Sequence, residues 1–210
     1  MKVEIWFDFV CPFCYMGETK FKKALEAFEH KDEVEIVFKS FQLDMGKGDF
    51  NGKDVHEIIA NKYNIAYEQA KANNDRVIKA ASEVGLNYNF DILKVNNTEL
   101  AHEIAKYAES IGRGKELVER YFKGHFEEGL DIGDKDDLLE LAQEIGLDIT
   151  ELKKQLDGGS LKLEVKEDEA VAKKLGISSV PFFVIDNKYA VSGAQNPEQF
   201  LKALNQAYND

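Results

Sequence analysis

The sequence predicts an α/β protein whose strands lie near the two ends of the chain, and three observations support this. Residues 2–38 carry the pattern of a strand, a helix and a second strand. Helical patterns occupy residues 54–175. Strand patterns return at residues 181–192, before a last helix. Because domains usually contain about 100–200 residues, a chain of 210 residues has room for one large domain or for a smaller one with a large insertion.

The first predicted strand and the first predicted helix meet at Cys11. Residues 2–9 alternate charged and apolar side chains and then become continuously apolar, which is typical of a strand that enters a core. Pro12 favours a helix start, because the fixed φ of proline suits the first helical position and the N–H that it lacks has no helical partner there. Apolar residues at helical spacing extend this helix to about His30. Residues 34–38 then predict a second strand.

The middle of the chain shows one helical pattern after another. Glycine tolerates the left-handed conformation that ends many helices, and it follows five of these patterns. Asp148, followed by Glu151, favours a variant of the capping box at one helix start. The predicted helices span residues 54–63, 67–84, 98–111, 115–128, 135–145, 149–156 and 161–175.

The C-terminal part of the chain predicts a hairpin and a helix. Residues 181–185 and 189–192 have strand character, and the turn residues between them tolerate the positive φ that tight hairpins need. We expect Asn196 to cap the last helix, with Pro197 at its first position and a glutamine three residues after the cap to complete a capping box.

The charge of the chain excludes some classes of partner. It has 27 basic and 39 acidic residues, a formal net charge of −12, and 44% of its residues are hydrophobic. An acidic surface repels phosphates and anionic lipids, so we expect neither nucleic acid nor a membrane as a partner. No apolar run approaches the roughly 20 residues of a membrane-spanning helix. The N-terminal residues lack the pattern of a signal peptide, which predicts a cytoplasmic location.

Cys11 and Cys14 are the two cysteines of the sequence. A disulfide-stabilised secreted protein would spread more cysteines along its length, so we expect these two to have a chemical role. As a helix cap, Cys11 would lie beside unpaired backbone N–H groups at the positive end of the helix dipole, which favours a thiolate. Cys14, one turn further along, would be more buried and close enough to resolve a mixed disulfide on Cys11.

The same cysteine spacing also occurs in zinc sites, which need two further ligands. The sequence has no second cysteine pair, and its four histidines show no spacing of three to five residues between two of them. Dithiol redox chemistry is therefore favoured over a metal centre, and no metal is expected.

Four segments carry a family resemblance, and they are DFVCPFCYMG at residues 8–17, NTELAH at 97–102, GISSVPFF at 176–183 and GAQ at 193–195. They resemble the DsbA family of thiol–disulfide oxidoreductases, and within it the FrnE-like, often cytoplasmic branch. The resemblance covers essentially the whole chain. It implies an α/β, thioredoxin-like fold with a large all-helical insertion domain. The corresponding division is a core formed by residues 1–43 and 161–210, with residues 44–160 as the helical insertion.

The resemblance also implies roles for single residues. Cys11 resembles the nucleophilic cysteine of the family and Cys14 the resolving one, which together form the redox-active disulfide. Val180 and Pro181 resemble the cis-proline segment that faces this disulfide, where backbone groups of Val180 would pair with an extended substrate segment. The other residues expected to contact substrate are Pro12, Phe13, Asn97 and His102.

Two of these positions are open to a second interpretation. His102 is either part of the cleft or a structural histidine on an alanine-rich helix. Asp8 is either a buried carboxylate that takes up the proton of Cys14 or a polar residue at a strand end.

Phe13 departs from the family pattern. This branch commonly has tryptophan there, and the strongly oxidising relatives have a histidine that helps to stabilise the thiolate. Phe13 offers neither charge nor donor, so we expect a weaker oxidant that can run in either direction in the cytosol. The expected partners are protein or low-molecular-weight thiols and disulfides. We expect the protein itself to be a monomer or a homodimer. No cofactor is expected beyond the disulfide itself, with glutathione as an optional co-substrate.

Two alternative functions remain open at this point. The fold and insertion also resemble 2-hydroxychromene-2-carboxylate isomerases and kappa-class glutathione transferases, which bind glutathione and typically have serine in place of the first cysteine. The presence of both Cys11 and Cys14 favours redox chemistry over that class. A redox-sensing or metal-holding module without enzymatic activity is the third interpretation.

Overall fold

The computed structural model describes residues 1–44, 50 and 52–210, and it confirms the predicted α/β fold. Within these residues a strand–helix–strand unit is followed by helices and then by a hairpin and a last helix. The strands are β1 (Lys2–Phe7), β2 (Glu35–Ser40), β3 (Phe182–Ile185) and β4 (Tyr189–Ser192). The helices are α1 (Pro12–Glu26), α2 (Val55–Tyr63), α3 (Tyr67–Ser82), α4 (Glu99–Ser110), α5 (Gly114–Phe126), α6 (Lys135–Glu144), α7 (Ile149–Gly158), α8 (Ser160–Lys174) and α9 (Pro197–Asn209).

The four strands form one mixed sheet in the order β2-β1-β3-β4. β1 runs parallel to β2 and antiparallel to β3, so the N-terminal strand joins the two ends of the chain. Its apolar residues are almost fully buried because both faces of the sheet are covered, with Ile5 and Phe7 in the main core and Trp6 packed against Ala172 and Ile177. β3 and β4 form the predicted hairpin, and the turn residues Asp186 and Asn187 have φ values of 46° and 55°.

Most of the helix ends have the caps that the sequence predicts. The side chain of Asp148 accepts hydrogen bonds from the backbone N–H groups of Thr150 and Glu151, at 2.9 and 3.1 Å, which confirms it as a cap residue. The Glu151 carboxylate accepts from Nε2 of Gln155 and Nζ of Lys154 instead of closing the predicted capping box. Asn196 lies at the cap position of α9, but its side chain makes no capping hydrogen bond, which corrects the prediction. The five glycines predicted to end helices all have positive φ; they are Gly85, Gly112, Gly129, Gly146 and Gly176.

The first helix is shorter than predicted. α1 ends at Glu26, four residues before His30. The backbone N–H groups of Ala27 and Phe28 bond to carbonyl groups three residues earlier, which tightens the chain out of the α-helix. Phe28 is then directed into the core, where 2% of it is exposed.

The sheet and the helices between β2 and α8 share one main hydrophobic core. The rings of Phe7 and Phe9, at the end of β1, lie 5.8 and 5.4 Å from the ring of Phe122 in α5. α8 packs against both α4 and β2. The end of β1 is therefore enclosed by the helices, and the division at residues 43 and 160 stays a prediction.

Candidate active site

Cys11 and Cys14 lie where β1 leads into α1. Cys11 is the N-cap residue of α1, with extended φ and ψ of −90° and 109°, and Pro12 occupies the first helical position as predicted. The backbone N–H of Cys11 bonds to the carbonyl oxygen of Asp8 at 3.1 Å, and that of Cys14 to the carbonyl of Cys11 at 2.9 Å. Both cysteines are free thiols. Cys11 lies at the positive end of the α1 dipole.

Cys14 is held as a protonated thiol. Burial raises its pKa well above the usual value, and the adjacent Cys11 and the charge of Asp8 act in the same direction. A hydrogen bond with the backbone of Asp8 opposes this shift. Both cysteines are buried, with 5% of Cys11 and 2% of Cys14 exposed, but Cys11 caps α1 whereas Cys14 lies in its first turn.

Val180 and Pro181 lie against Cys11. The thiol of Cys11 donates to the carbonyl oxygen of Val180, with 3.7 Å between sulfur and oxygen. The peptide bond between Val180 and Pro181 is cis. Gly17 of α1 makes this approach sterically feasible, because a Cβ atom there would stand 2.8 Å from Cγ of Pro181. The structure thus brings together segments that are about 170 positions apart in the sequence, through the pairing of β1 with β3.

Asp8 connects the two cysteines to α4. Its side chain is fully buried, and its Oδ1 lies 3.3 Å from Nε2 of His102. Its other oxygen accepts a hydrogen bond from the backbone N–H of Leu43 at 2.6 Å. His102 is also fully buried, with its ring 5.2 and 5.0 Å from those of Phe7 and Phe9. Because a carboxylate only accepts, Nε2 of His102 carries the proton in this contact.

Phe13 and Asn97 are placed differently from the other predicted site residues. Phe13 is 48% exposed, beside the two cysteines. Asn97 is exposed at the start of α4, where its side-chain oxygen accepts a hydrogen bond from the backbone N–H of Glu99 at 2.8 Å. Their substrate-binding roles stay predictions.

The sequence did not single out Tyr88 and His125, which also lie at this site. The hydroxyl of Tyr88 donates to the carbonyl oxygen of Pro12 at 2.7 Å. His125 lines a pocket together with Pro12. Neither residue stands in a recognisable motif, and helical periodicity on α5 indicates only that residue 125 is near the core. Their proximity to Cys11 therefore carried no signal in the sequence.

The described residues contain neither a cluster of metal-ligating side chains nor a membrane-spanning helix. Across residues 1–44, 50 and 52–210, no three or more histidine, cysteine, aspartate or glutamate side chains are grouped as a metal site would need. Over the same residues, no helix combines the length and apolarity needed to cross a membrane.

The chain is similar to known proteins along its whole length. The family model of the DSBA-like thioredoxin domain matches residues 2–205. The crystal structure of a probable DsbA oxidoreductase from Streptomyces coelicolor is 39% identical, with a TM-score of 0.92, and the match covers 100% of this chain and 91% of that one. An uncharacterized protein of Bacillus subtilis, YwbO, is 26% identical over 96% of this chain and 94% of its own length.

More distant structures share the fold. The cytosolic disulfide reductase DsbM from Pseudomonas aeruginosa, with GSH, has a TM-score of 0.68 at 16% identity, covering 100% of both chains. A 2-hydroxychromene-2-carboxylate isomerase has a TM-score of 0.69 at 16% identity, covering 100% of this chain and 95% of that one.

Proposed function

This chain belongs to the family of DsbA-like thioredoxin domains, and from that membership we propose that it exchanges disulfides with protein or low-molecular-weight thiols through Cys11 and Cys14. It is a thiol–disulfide oxidoreductase. The observation that carries the proposal is the position of Cys11 at the N-terminus of α1, with the thiol of Cys14 behind it and Val180 in contact.

The exchange proceeds in two balanced steps. The thiolate of Cys11 attacks one sulfur of a substrate disulfide, forms a mixed disulfide and releases one substrate thiolate. Cys14 then loses its proton and attacks the sulfur of Cys11, so that the Cys11–Cys14 bond forms and the second substrate thiolate leaves. The substrate gains two electrons, and the enzyme dithiol is oxidised to a disulfide. The same steps in reverse oxidise a substrate dithiol.

Asp8 takes up the proton of Cys14 in the second step. The raised pKa of Cys14 means that this thiol needs a base, and its pKa responds to the charge of Asp8. His102 acts through Asp8 as a positioning residue, because its Nε2–H holds one carboxylate oxygen while the backbone of Leu43 holds the other.

Val180, Pro181, Pro12 and Phe13 form the surface that receives the substrate. Phe13 supports this role because a large apolar ring is exposed directly beside the two cysteines. Backbone groups of Val180 pair with an extended substrate segment. Asn97 is the contribution of the helical segment to the same cleft, whereas His102 is fully buried and acts on the site through Asp8.

We place the chain in the cytoplasm and in the FrnE-like branch, with glutathione as an optional co-substrate. DsbM, which is cytosolic and was solved with GSH, shares this fold along both full chains, and this similarity supports the proposal. The proposed division of the chain is a core of residues 1–43 and 161–210 with a helical insertion of residues 44–160.

A glutathione-dependent isomerase or transferase is the second candidate function. The shared fold with the 2-hydroxychromene-2-carboxylate isomerase favours it, whereas the presence of both Cys11 and Cys14 favours disulfide exchange. An isomerisation or conjugation that needs glutathione and is unaffected by loss of Cys14 would support the second function.

Reduction of insulin disulfides by dithiothreitol tests the proposal. We expect the wild-type protein to accelerate the reaction and Cys11→Ser to abolish the acceleration. Cys14→Ser is the matched control, because it keeps the nucleophile and should accumulate a mixed disulfide on Cys11 that mass spectrometry detects. Undiminished activity of Cys11→Ser would overturn the proposal.

A further inference from the structure

A small pocket lies beside Cys11 and is separate from the contact with Val180. Its volume is about 60 Å³. Val10 and Pro12, which flank Cys11 in the chain, form part of its wall, and Ile59 of α2 and Phe126 of α5 form other parts. The pocket therefore lies between the start of α1 and helices that precede α8, next in the chain to Cys11 on both sides.

Two polar side chains interrupt these apolar walls. His125 is fully buried, and neither of its ring nitrogens has a well-formed hydrogen bond to any described residue. The carbonyl of Leu130 approaches the ring closely enough to raise its pKa, which still leaves the second nitrogen without a partner. Asn74 is 7% exposed, and its Nδ2 lies 2.8 Å from Nδ1 of His56, which fixes the orientation of the amide.

A buried polar atom without a partner destabilises the folded state, so an unsatisfied histidine in a pocket wall points to a ligand atom that completes its hydrogen bonding. Burial lowers the pKa of His125 to about 4, against weaker opposite effects of Asp8 and Asp131, so the ring is neutral at pH 7. A neutral imidazole can donate or accept one hydrogen bond but does not compensate the desolvation of a charged ligand group. The complementary ligand group is therefore uncharged.

The size of the pocket restricts the ligand further. One water needs about 10–15 Å³ of such volume, so about 60 Å³ holds a group of four or five non-hydrogen atoms. We propose that this pocket is a substrate subsite, which takes a short, uncharged side group of the disulfide substrate and bonds one hydroxyl or amide atom of it to His125. This inference rests on the proposed function, since Cys11 must attack the disulfide that carries the group.

A matched pair of small disulfides tests the subsite. Bis(2-hydroxyethyl) disulfide and di-n-propyl disulfide have the same shape, but the first has a hydroxyl where the second has a methyl group. In both reactions the reduced enzyme gives two electrons to the disulfide, which becomes two thiols, and dithiothreitol regenerates the enzyme. We expect kcat/KM, divided by the uncatalysed rate of the same disulfide with dithiothreitol, to be about tenfold higher for the hydroxyl compound.

His125→Leu is the critical variant, because it keeps an apolar wall and removes the hydrogen bond. We expect the tenfold preference for the hydroxyl compound to vanish and the reduction potential of Cys11–Cys14 to stay unchanged. A preference of wild-type protein that survives in His125→Leu, or no preference in wild-type protein, would overturn the subsite.

If His125→Leu does not fold, Ile59→Phe tests whether the pocket is a substrate subsite. Ile59 is half-buried in the pocket wall, so a larger ring there should fill the pocket and lower kcat/KM for both disulfides without changing the reduction potential. Unchanged kcat/KM would contradict the subsite. Failure of wild-type protein to reduce either disulfide would instead refute the proposed function, which separates the two results.

Discussion

The proposed proton transfer from Cys14 involves a few buried atoms around Asp8. Asp8 acts on Cys14 in two opposite ways, since its charge raises the pKa of the thiol and its backbone lowers it. As a base, the same carboxylate would remove the proton that its charge helps to retain. A variant of Asp8 without charge should therefore lower the pKa of Cys14 and still slow the proton transfer, a combination that loss of a merely structural residue would not produce.

Asp8→Asn should separate the two effects. Without the charge we expect the pKa of Cys14 to fall, yet closure of the Cys11–Cys14 disulfide at pH 7 should slow by about a hundredfold because the base is lost. Closure can be followed from pH 5 to 9 by acid quench and thiol alkylation, and the pKa of Cys14 by its alkylation rate in the Cys11→Ser background. His102→Gln keeps a hydrogen-bond donor beside Asp8 and should slow closure of the disulfide far less. Equal closure rates and pH profiles in the wild type and Asp8→Asn would exclude Asp8 as the base.

Gly17 determines how closely Pro181 can approach α1. Gly17→Ala places a Cβ atom 2.8 Å from Cγ of Pro181 and 3.5 Å from Cα of Ala194, so we expect a loss of about 1–3 kcal/mol in the free energy of unfolding and lower exchange activity. Gly158→Ala is the control, because no atom lies within 4 Å of a Cβ there. Urea unfolding of both variants measures the difference, and equal stabilities would show that the Pro181 loop moves aside freely.

The residues of the site that sequence could identify are those within motifs. Cys11 and Cys14 were recognisable from their spacing and their place before a helix, and Pro181 from its resemblance to a family segment. The sequence did not identify His125 and Tyr88, because these residues reach the site through the packing of α5 and of the segment after α3 against the start of α1. No periodicity records which residue of one element faces a particular residue of another.

At the level of the elements, α1 combines the nucleophile at its start with a buried carboxyl group on its body. The order and types of the elements follow from periodicity and from glycine and proline positions. The sequence did not predict the early end of α1, since the residues beyond it continue the helical spacing while Phe28 turns into the core. Nor does an amphipathic pattern predict that Glu18, 6% exposed, lies on the inner face of α1.

Glu18 makes stability depend on pH. Burial, and less strongly the charge of Glu119, raises its pKa from 4.5 to about 7. The folded-state pKa lies above the unfolded one, so the unfolded state releases the proton first and stability should fall as pH rises from about 4.5 to 7, by at most about 3 kcal/mol. Glu18→Gln should remove this slope and be more stable than wild type at pH 8.

Urea unfolding at pH 5 and pH 8 measures the effect of Glu18. Glu26→Gln is the matched control, because Glu26 is exposed on the same helix. That control should keep the pH dependence of the wild type. The same slope in Glu18→Gln as in wild type would show that Glu18 is solvated in solution and carries a normal charge.

At the scale of the whole molecule, the two ends of the chain form one sheet, and the helices between them are fixed to it by a buried ionic cluster. Asp168 of α8 is 4% exposed and accepts hydrogen bonds from the backbone N–H of Ser40 and from Nζ of Lys39, at 2.9 and 3.0 Å. Lys106 of α4 pairs with Oδ2 of Asp168, the oxygen that also accepts from Ser40. In the sequence these charges are indistinguishable from a solvated helix face, which is how the acidic run around residue 168 would ordinarily be interpreted.

Asp168→Ala tests whether this cluster keeps α4, and with it His102, in place. Removal of the carboxylate leaves Lys106 buried without its partner, and such a broken buried pair typically costs about 3–5 kcal/mol. We expect that loss in the free energy of unfolding, and also slower closure of the Cys11–Cys14 disulfide, because His102 lies on the same helix as Lys106 and orients Asp8. Glu167→Ala, at an exposed neighbouring position, should change neither quantity.

A destabilised Asp168→Ala with normal closure would contradict the link to the active site. It would mean that β1 and Leu43 alone orient Asp8, and that the cluster stabilises the fold without affecting disulfide closure.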